Sequence, residues 1–495
     1  MGKKKKADMM LYSSIMSAYP MISQIDRPKI EPGRNIPDDM ILDVEDSGVF
    51  LGLDTGNGKG YYVGKRSTDD GNILVVGING SGKSHFLVKS TLETWHDPVV
   101  ALDIKGELSN RYMSLQHKGL VRRAYIVFDP SNGGSHYNVY ALLKRGDPHF
   151  TQYVCEIAYA IIPKPFDIRE PYWIDMARDL LSGAIIYYYE LGLDFIATIL
   201  MVQDTPVAEL CREIMREGSD LARKFVSEIA GLKRQQQSAI GTEVKRHTMV
   251  FATDPDIQSA LTLSGSGEDG FGTFSWESIV SDAEAPNVFL CINQDRLEQW
   301  DGVLRLMITQ LIRQLERRPE KYSPQGCDTK PLLLLLDEFP LLGKMDVIQN
   351  AMTTLRSKNV TLYIVLQSIA QLDAVYGSNA RKILVDNCQY KAILNVTEPD
   401  TQEYLSRMIG TVPTARIGAS QSYSPYADQP TWGTQIQEIR EPLILPHEFN
   451  TNENIWLYSP HGFQSTIKLP VRISNLPVYK YNDAISEYFK RRCFI

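Results

Sequence analysis

The residues Gly77-Ile-Asn-Gly-Ser-Gly82-Lys83-Ser84 have the types and spacing of a loop that binds phosphate groups. They satisfy the pattern G-x-x-x-x-G-K-S/T, in which glycines let backbone N–H groups point at phosphate oxygens. Lys83 is expected to pair with terminal phosphates, and Ser84 to hold Mg²⁺. The alternative is an ordinary glycine-rich turn. We expect nucleotide contacts along the whole loop: Gly77, Ile78, Asn79, Gly80, Ser81, Gly82, Lys83 and Ser84.

Two carboxylates follow a run of leucines far along the chain. Asp337 and Glu338 come directly after Leu332 to Leu336. Asp337 is positioned to bind the metal through water, and Glu338 to orient or deprotonate the attacking water. Such a pair alone is also typical of a strand that enters a turn. Together with the phosphate-binding loop, it predicts nucleotide hydrolysis.

A polar residue also ends the next predicted strand. Gln367 follows the apolar run Leu362 to Leu366. The ends of adjacent strands in an open α/β sheet converge on one ligand crevice. Gln367 is therefore a candidate sensor of the terminal phosphate; its alternative role is that of an amide that caps a turn.

The elements that would position these residues alternate between apolar strands and helical segments. Continuous apolar strands separated by helices indicate a parallel sheet that is covered on both faces. We therefore predict an α/β fold, a P-loop NTPase (RecA-like) with a mainly parallel sheet. Strands are expected at 73–76, 99–104, 125–128, 288–292, 332–336, 362–366 and 391–396, with edge strands at 49–53 and 61–63 and further strands at 455–458 and 466–469.

The strand pattern gives way to helical spacing in the middle of the chain, which predicts an all-helical inserted domain. A Gly- and Ser-rich tract at 264–272 is a candidate hinge back into the sheet. We expect five segments: a polar N-terminal lead at 1–45, the first part of a nucleotide-binding domain at 46–139, the insertion at 140–264, the second part at 265–480, and a C-terminal helix or tail at 481–495.

Composition is that of a globular protein, with 43% hydrophobic and 22% charged residues. A net charge of -7 argues against coating nucleic acid with the whole surface, so any DNA contact must be local. The six cysteines contain no close pair, which favours a reducing cytoplasm over a disulfide framework or a zinc site.

The chain is expected to enter no membrane by itself. The basic run Lys3 to Lys6 is not followed by the apolar core of a signal peptide. The most apolar tract, Leu180 to Val202, carries Glu190 and Asp194 near its middle. Because acids are costly inside a bilayer, we interpret this tract as one or two buried helices.

Five motifs in order resemble those of type IV secretion coupling proteins, TraG/TraD-like members of the FtsK/HerA class of P-loop ring ATPases. The likeness extends from about Ile73 to Gly410. It rests on Gly77 to Ser84, Leu102 to Leu108, Phe128-Asp-Pro130, Leu336 to Pro340, and Ile364 to Ser368 with Gln371-Leu372 beyond.

This resemblance implies ATP and Mg²⁺ as cofactors and a homohexamer that pumps single-stranded DNA with its relaxase. It also implies type IV secretion channel subunits as partners. Many members begin with a membrane-spanning hairpin, and we expect this chain to lack one. We therefore expect a cytoplasmic protein that is peripheral at the inner face of the cell membrane through a membrane-anchoring partner, or else a soluble branch of the family.

The resemblance also implies roles for residues outside the loop and the acids. Arg356 matches an arginine that reaches the neighbouring subunit's nucleotide; its alternative is a pair with an acid on its own helix. Asp103, Lys105 and Glu107 match the family pattern. Asp103 is equally well explained as the cap of the next helix.

The insertion has basic residues at Lys233-Arg234 and at Lys245-Arg246-His247. DNA contact and a solvated helix face explain these charges about equally well. Two other functions stay open: an FtsK/HerA-like DNA translocase outside secretion, and a nucleotide-regulated receptor that docks cargo with little turnover.

Overall fold

The computed structural model describes residues 48–53, 60–64, 71–164, 172–263, 272–281, 284–324, 329–422, 431–450, 454–460 and 462–467. The expected N-terminal lead and the C-terminal helix or tail lie outside these residues. The expected hinge at 264–272 also lies outside them, apart from Gly272.

The strands in the described residues are β1 Gly48–Leu53, β2 Gly60–Gly64, β3 Asn72–Val76, β4 Val99–Asp103, β5 Tyr125–Phe128, β6 His136–Tyr137, β7 Thr273–Phe274, β8 Asn287–Cys291, β9 Leu332–Leu336, β10 Val360–Leu366, β11 Cys388–Ile393, β12 Thr411–Ser422, β13 Thr431–Pro442, β14 Asn454–Ser459 and β15 Gly462–Ile467. Eleven of the strands in the described residues overlap the predicted runs, whereas β6, β7, β12 and β13 were not predicted.

The α-helices connect these strands and fill the insertion. They are α1 Lys89–Thr94, α2 Glu107–His117, α3 Phe150–Ile161, α4 Tyr172–Glu190, α5 Phe195–Asp204, α6 Val207–Glu217, α7 Asp220–Ala230, α8 Arg234–Thr253, α9 Pro255–Leu261, α10 Trp276–Ser281, α11 Asp301–Glu316, α12 Asp346–Thr354, α13 Ile369–Tyr376, α14 Ser378–Asp386 and α15 Pro399–Ile409. Helical turns of other types lie at Lys83–Val88, Gln294–Arg296, Phe339–Leu342, Leu355–Lys358 and Pro446–Phe449.

The main sheet has eleven strands in the order β2-β1-β15-β14-β11-β3-β10-β9-β4-β8-β5. From β11 to β5 every neighbouring pair is parallel. The remaining pairs, from β2 to the β14–β11 contact, are antiparallel. The predicted mainly parallel α/β sheet is therefore confirmed. β2 is an edge strand as expected, whereas β1 lies one strand in from the edge.

Both faces of the sheet are buried, as its unbroken apolar strands require. In β3, Ile73 and Val75 belong to one hydrophobic cluster and Leu74 and Val76 to another. The second cluster also includes the insertion helices, so the insertion and one sheet face share a continuous core. The division into domains itself stays a prediction.

The apolar tract from Leu180 to Val202 forms parts of two helices, as predicted. Gly192 has φ +91° after α4, a conformation that suits glycine. Asp194 then begins α5, because its carboxylate accepts a hydrogen bond from the Ala197 N–H at 2.8 Å. Among the described residues, no helix combines the length and the apolar character needed to cross a membrane.

Candidate nucleotide-binding site

The phosphate-binding loop leaves the carboxyl end of β3. The Gly77 N–H donates to the Leu366 carbonyl at 3.2 Å, which ties the loop to the end of β10. A Cβ at Gly77 would lie 2.8 Å from Ser81 Oγ, and Gly82 has φ +93°. The loop therefore needs glycine at both positions, for close packing at the first and for backbone conformation at the second.

Lys83 is buried beneath this loop. Its ammonium donates to the Gly77 carbonyl at 2.5 Å and to the Ile78 carbonyl at 3.1 Å. Burial lowers the pKa of Lys83, while the nearby carboxylates of Glu338 and Asp337 act in the opposite direction. A cation held by neutral carbonyl groups beside an amide-lined loop suits the oxygens of a phosphate.

Ser84, at the start of the helical turn Lys83–Val88, lies beside Asp337, and both side chains offer oxygen atoms as metal ligands. The Ser84 hydroxyl donates to Asp337 Oδ2 at 2.9 Å. Burial raises the pKa of Asp337, and the Ser84 hydrogen bond opposes that rise. Mg²⁺ is usually held by one or two carboxylates together with substrate phosphates and water. Ser84 and Asp337 offer two such oxygen ligands, so they fit Mg²⁺ in company with phosphates.

Glu338 lies between the ends of two neighbouring strands. Gln367, after β10, donates to Glu338 Oε2 at 2.9 Å. Lys105, after β4, donates to Glu338 Oε1 at 3.1 Å. Burial alone would raise the pKa of Glu338, but the hydrogen bonds from Gln367 and Lys105 and the charges of Lys105 and Lys83 lower it. Glu338 is therefore held as a carboxylate.

A cavity of about 470 Å³ joins these groups. Lys83, Ser84 and Lys105 line it together with Asp337 and Glu338. The structure thus brings the predicted loop and both predicted acids to one space, and Gln367 reaches that space through its bond to Glu338. This arrangement can hold phosphates at one side and present a carboxylate to a water at the other.

Asp103 serves as a cap. Its Oδ2 accepts hydrogen bonds from the Leu108 N–H at 3.1 Å, the Ser109 N–H at 2.8 Å and the Ser109 hydroxyl at 2.7 Å. These contacts hold the first turn of α2 against the end of β4. The helix cap is therefore observed. Asp103 also lines the cavity described above, so a role toward the ligand stays a prediction.

Arg356 lies away from this cavity in its own chain. It is an exposed residue of the turn Leu355–Lys358, just before β10 begins. Gln367 follows the other end of β10. A strand of this length spans roughly 20 Å, so Arg356 and Gln367 lie at opposite edges of the sheet. Any contact of Arg356 with nucleotide must therefore involve another subunit, and that role stays a prediction.

The basic residues of the insertion fall into two groups on α8. Lys233 and Arg234 are exposed at its beginning. Lys245 donates to the Gln203 carbonyl in the last turn of α5, and Arg246 pairs with Glu243 at 2.7 Å. Twelve residues of helix separate the groups by roughly 18 Å. The basic residues of α8 therefore form two separate groups and not one patch, and the second group already has partners.

The family model described as "Type IV secretory system Conjugative DNA transfer" matches residues 39–454. The chain belongs to this family. Protein VirD4 of Agrobacterium fabrum, a curated relative, is 25% identical over 400 residues, which cover 78% of this chain and 57% of VirD4. The chain thus spans a little over half the length of that coupling-protein relative.

Solved structures of the coupling-protein family show the same fold. The bacterial conjugative coupling protein TrwBdeltaN70, in an unbound form, has a TM-score of 0.63 at 18% identity, over 89% of this chain and 92% of that one. Plasmid coupling protein TrwB in complex with ADP and Mg²⁺ has a TM-score of 0.56 at 19% identity, over 82% of this chain and 87% of that one. The predicted P-loop NTPase fold is therefore confirmed.

The resemblance to coupling proteins pointed to Lys105, but its contact with Glu338 was not predicted. Only the strand order puts β4 and β9 side by side. Gln371 was also missed as a support: its side-chain oxygen accepts from the Gln367 N–H at 3.1 Å. Its spacing of four residues from Gln367, at the start of a helix, was the available signal.

Proposed function

We propose that the chain is an ATP-hydrolysing coupling protein that recruits and pumps single-stranded DNA with its relaxase to a type IV secretion channel. The observation that carries the proposal is the convergence of the Lys83 loop, the Ser84–Asp337 pair and the Glu338 carboxylate on one cavity. The structure of TrwB in complex with ADP and Mg²⁺ supports nucleotide and Mg²⁺ as ligands of the same fold.

The geometry suggests how this chain's residues would act on ATP. Lys83 would exchange the loop carbonyls for terminal phosphate oxygens, which carry more charge. Mg²⁺ bound near Ser84 and Asp337 would offset charge on the phosphates. Gln367 would orient the attacking water, and a carboxylate oxygen of Glu338 would accept its proton.

The proposed partners follow from membership of the family. We infer a homohexamer in which Arg356 of one subunit reaches the nucleotide of the next. DNA and relaxase would enter on the side of the helical insertion, and channel subunits with a membrane-anchoring partner would hold the ring at the inner face of the cell membrane. The exposed Lys233 and Arg234 offer phosphate contacts on the insertion.

ATP turnover of the purified protein, measured with and without single-stranded DNA at two salt concentrations, tests this proposal. We expect DNA to stimulate turnover more at the lower salt concentration. Lys83→Ala should lose nucleotide binding, because it removes the buried ammonium that would meet the terminal phosphates from beneath the loop. Glu338→Gln should bind ATP and fail to hydrolyse it, because the amide keeps the shape of the side chain but accepts no proton.

The two variants separate binding from chemistry. Normal turnover by Lys83→Ala would remove the phosphate site from this loop, and normal turnover by Glu338→Gln would make that residue structural. Negligible turnover by the wild type, with or without DNA, would instead favour the receptor that docks cargo.

A further inference from the structure

The two strands that flank β9 each supply one hydrogen-bond donor to Glu338. β10 lies on one side of β9 and β4 on the other. Gln367 donates to Oε2 and Lys105 to Oε1. Both oxygens of the carboxylate are therefore engaged, and one of them faces a cation. A carboxylate in this state is a poor acceptor for the proton of a water molecule.

Of the two contacts to Glu338, the one with Lys105 is the more easily broken. The Lys105 side chain is 51% exposed, whereas that of Glu338 is 12% exposed. Ion pairs with one solvent-exposed partner are weak, because water screens the charge and the long side chain loses freedom. Gln371 accepts a hydrogen bond from the backbone of Gln367, whereas Lys105 lies in an exposed turn after β4.

Lys105 also lines the cavity that Lys83 and Ser84 line. The charge of Lys105 contributes to lowering the pKa of Lys83, alongside burial, so the two ammonium groups lie near each other. A triphosphate in this cavity would place its terminal phosphate between the two ammonium groups. A phosphate carries more charge than a carboxylate and offers more acceptor oxygens, so it competes well for Lys105. A diphosphate lacks that terminal group.

We propose that Lys105 is a positioning residue that holds Glu338 in a non-hydrolysing state and moves to the terminal phosphate when a triphosphate binds. Its departure frees Oε1 of Glu338 for the attacking water. The inference rests on the proposed function, since it assigns the selection of triphosphate over diphosphate to this same site.

Binding of a non-hydrolysable ATP analogue and of ADP, both with Mg²⁺, tests the phosphate contact. Lys105→Met removes the charge at similar length, so the analogue should bind about tenfold more weakly, while ADP affinity stays within twofold. Lys105→Arg keeps a cation and should restore most of the preference for the analogue. Lys144→Met is the matched control, because Lys144 forms an exposed pair with Glu277 at 2.9 Å outside the cavity.

A double-mutant cycle tests the release of Glu338. Glu338→Gln weakens the hold on Lys105, so it should tighten binding of the ATP analogue. If the Lys105–Glu338 pair breaks when the analogue binds, this gain in affinity must be smaller in the Lys105→Met protein, where no such pair exists. With ADP, Glu338→Gln should have the same effect in both proteins, because the pair stays intact.

The results separate this inference from the proposed function. Equal losses of analogue and ADP affinity in Lys105→Met would overturn the phosphate contact. If Glu338→Gln raised analogue affinity equally in the wild-type and Lys105→Met proteins, the release of Glu338 from Lys105 would be overturned. In either case, nucleotide binding that depends on Lys83 would leave the proposed function standing. A wild-type protein that binds neither nucleotide would overturn both.

Discussion

Glu338 combines a strained backbone with a constrained side chain. Its φ is +56°, and the other non-glycine residue with positive φ among the described residues is Asn359. Asparagine tolerates this conformation, whereas for glutamate it costs about 1 to 2 kcal/mol. The Glu338 conformation aims the carboxylate between Lys105 and Gln367. Strain of this kind is typical of residues that are positioned for function.

Gly80 and Gly82 of the phosphate-binding loop share a backbone conformation but differ in the space around them. A Cβ at Gly82 would lie 2.2 Å from the Phe86 ring, whereas a Cβ at Gly80 would meet no atom within 4 Å. Both have positive φ. Gly82→Ala should therefore lower the free energy of unfolding by about 1 to 3 kcal/mol more than Gly80→Ala, because it adds overpacking to backbone strain.

Chemical denaturation of the two alanine variants measures this difference. A double variant, Gly82→Ala with Phe86→Ala, removes the ring that the new methyl group would meet. It should recover much of the extra loss when compared with Phe86→Ala alone. Equal losses at Gly80 and Gly82 would show that the Phe86 ring moves aside at little cost.

At the scale of elements, the position of β10 determines the arrangement of the site. β10 lies between β3, which carries the phosphate-binding loop, and β9, which carries the acids. Leu366 pairs with Val76, and Leu336 pairs with both Ile364 and Leu102. The ends of β3 and β10 therefore lie level, and β9 ends two residues before β10. The residues that follow these strands meet at one edge of the sheet.

The two groups of basic residues on α8 predict different effects on DNA binding. Alanine at both Lys233 and Arg234 removes two exposed charges. If both meet phosphates, the slope of log affinity for single-stranded DNA against log salt should fall by about 1.4 units. Arg246→Ala is the control, because Arg246 already pairs with Glu243. We expect that variant to keep the wild-type slope.

Binding titrations over a range of salt concentrations measure both slopes. An unchanged slope in the Lys233 and Arg234 variant would assign these residues to solvent. A loss of slope in Arg246→Ala would show that its pair with Glu243 opens on DNA. Lys245 is left intact, since its contact with the Gln203 carbonyl holds the end of α5.

At the scale of the whole molecule, the proposed role of Arg356 would make hydrolysis depend on assembly. Arg356 and the cavity lie at opposite edges of the sheet, so a subunit cannot complete its own site with this residue. A guanidinium supplied by a neighbour can stabilise the charge of phosphoryl transfer by roughly 10³ to 10⁵ in rate. We therefore expect Arg356→Ala to lose turnover and keep nucleotide binding.

Mixing two inactive proteins tests this dependence. In mixed rings of Arg356→Ala and Glu338→Gln subunits, some interfaces combine an intact Glu338 with a neighbour's intact Arg356. ATP turnover should therefore recover on mixing. Lys358→Ala, in the same turn, is the control and should stay active, because Lys358 pairs with Glu320 of its own chain at 2.6 Å. No recovery despite demonstrated co-assembly would contradict the role in trans.

The sequence by itself determined the features that depend on neighbouring residues. The loop from Gly77 to Ser84, eleven of the strands and the helical character of the Leu180 to Val202 tract are all local patterns of glycine placement and apolar spacing. The convergence of Asp337, Glu338 and Gln367 also followed, because parallel strands end at a common edge.

Only the tertiary structure decided which side chains meet across that edge. Lys105 and Glu338 are 233 residues apart, and their contact depends on β4 lying next to β9. The separation of Lys233 from Lys245, and the distance of Arg356 from the cavity, likewise depend on helix length and strand direction. Residue types and spacing leave strand order open, because any buried apolar strand can pair with another through equivalent backbone hydrogen bonds.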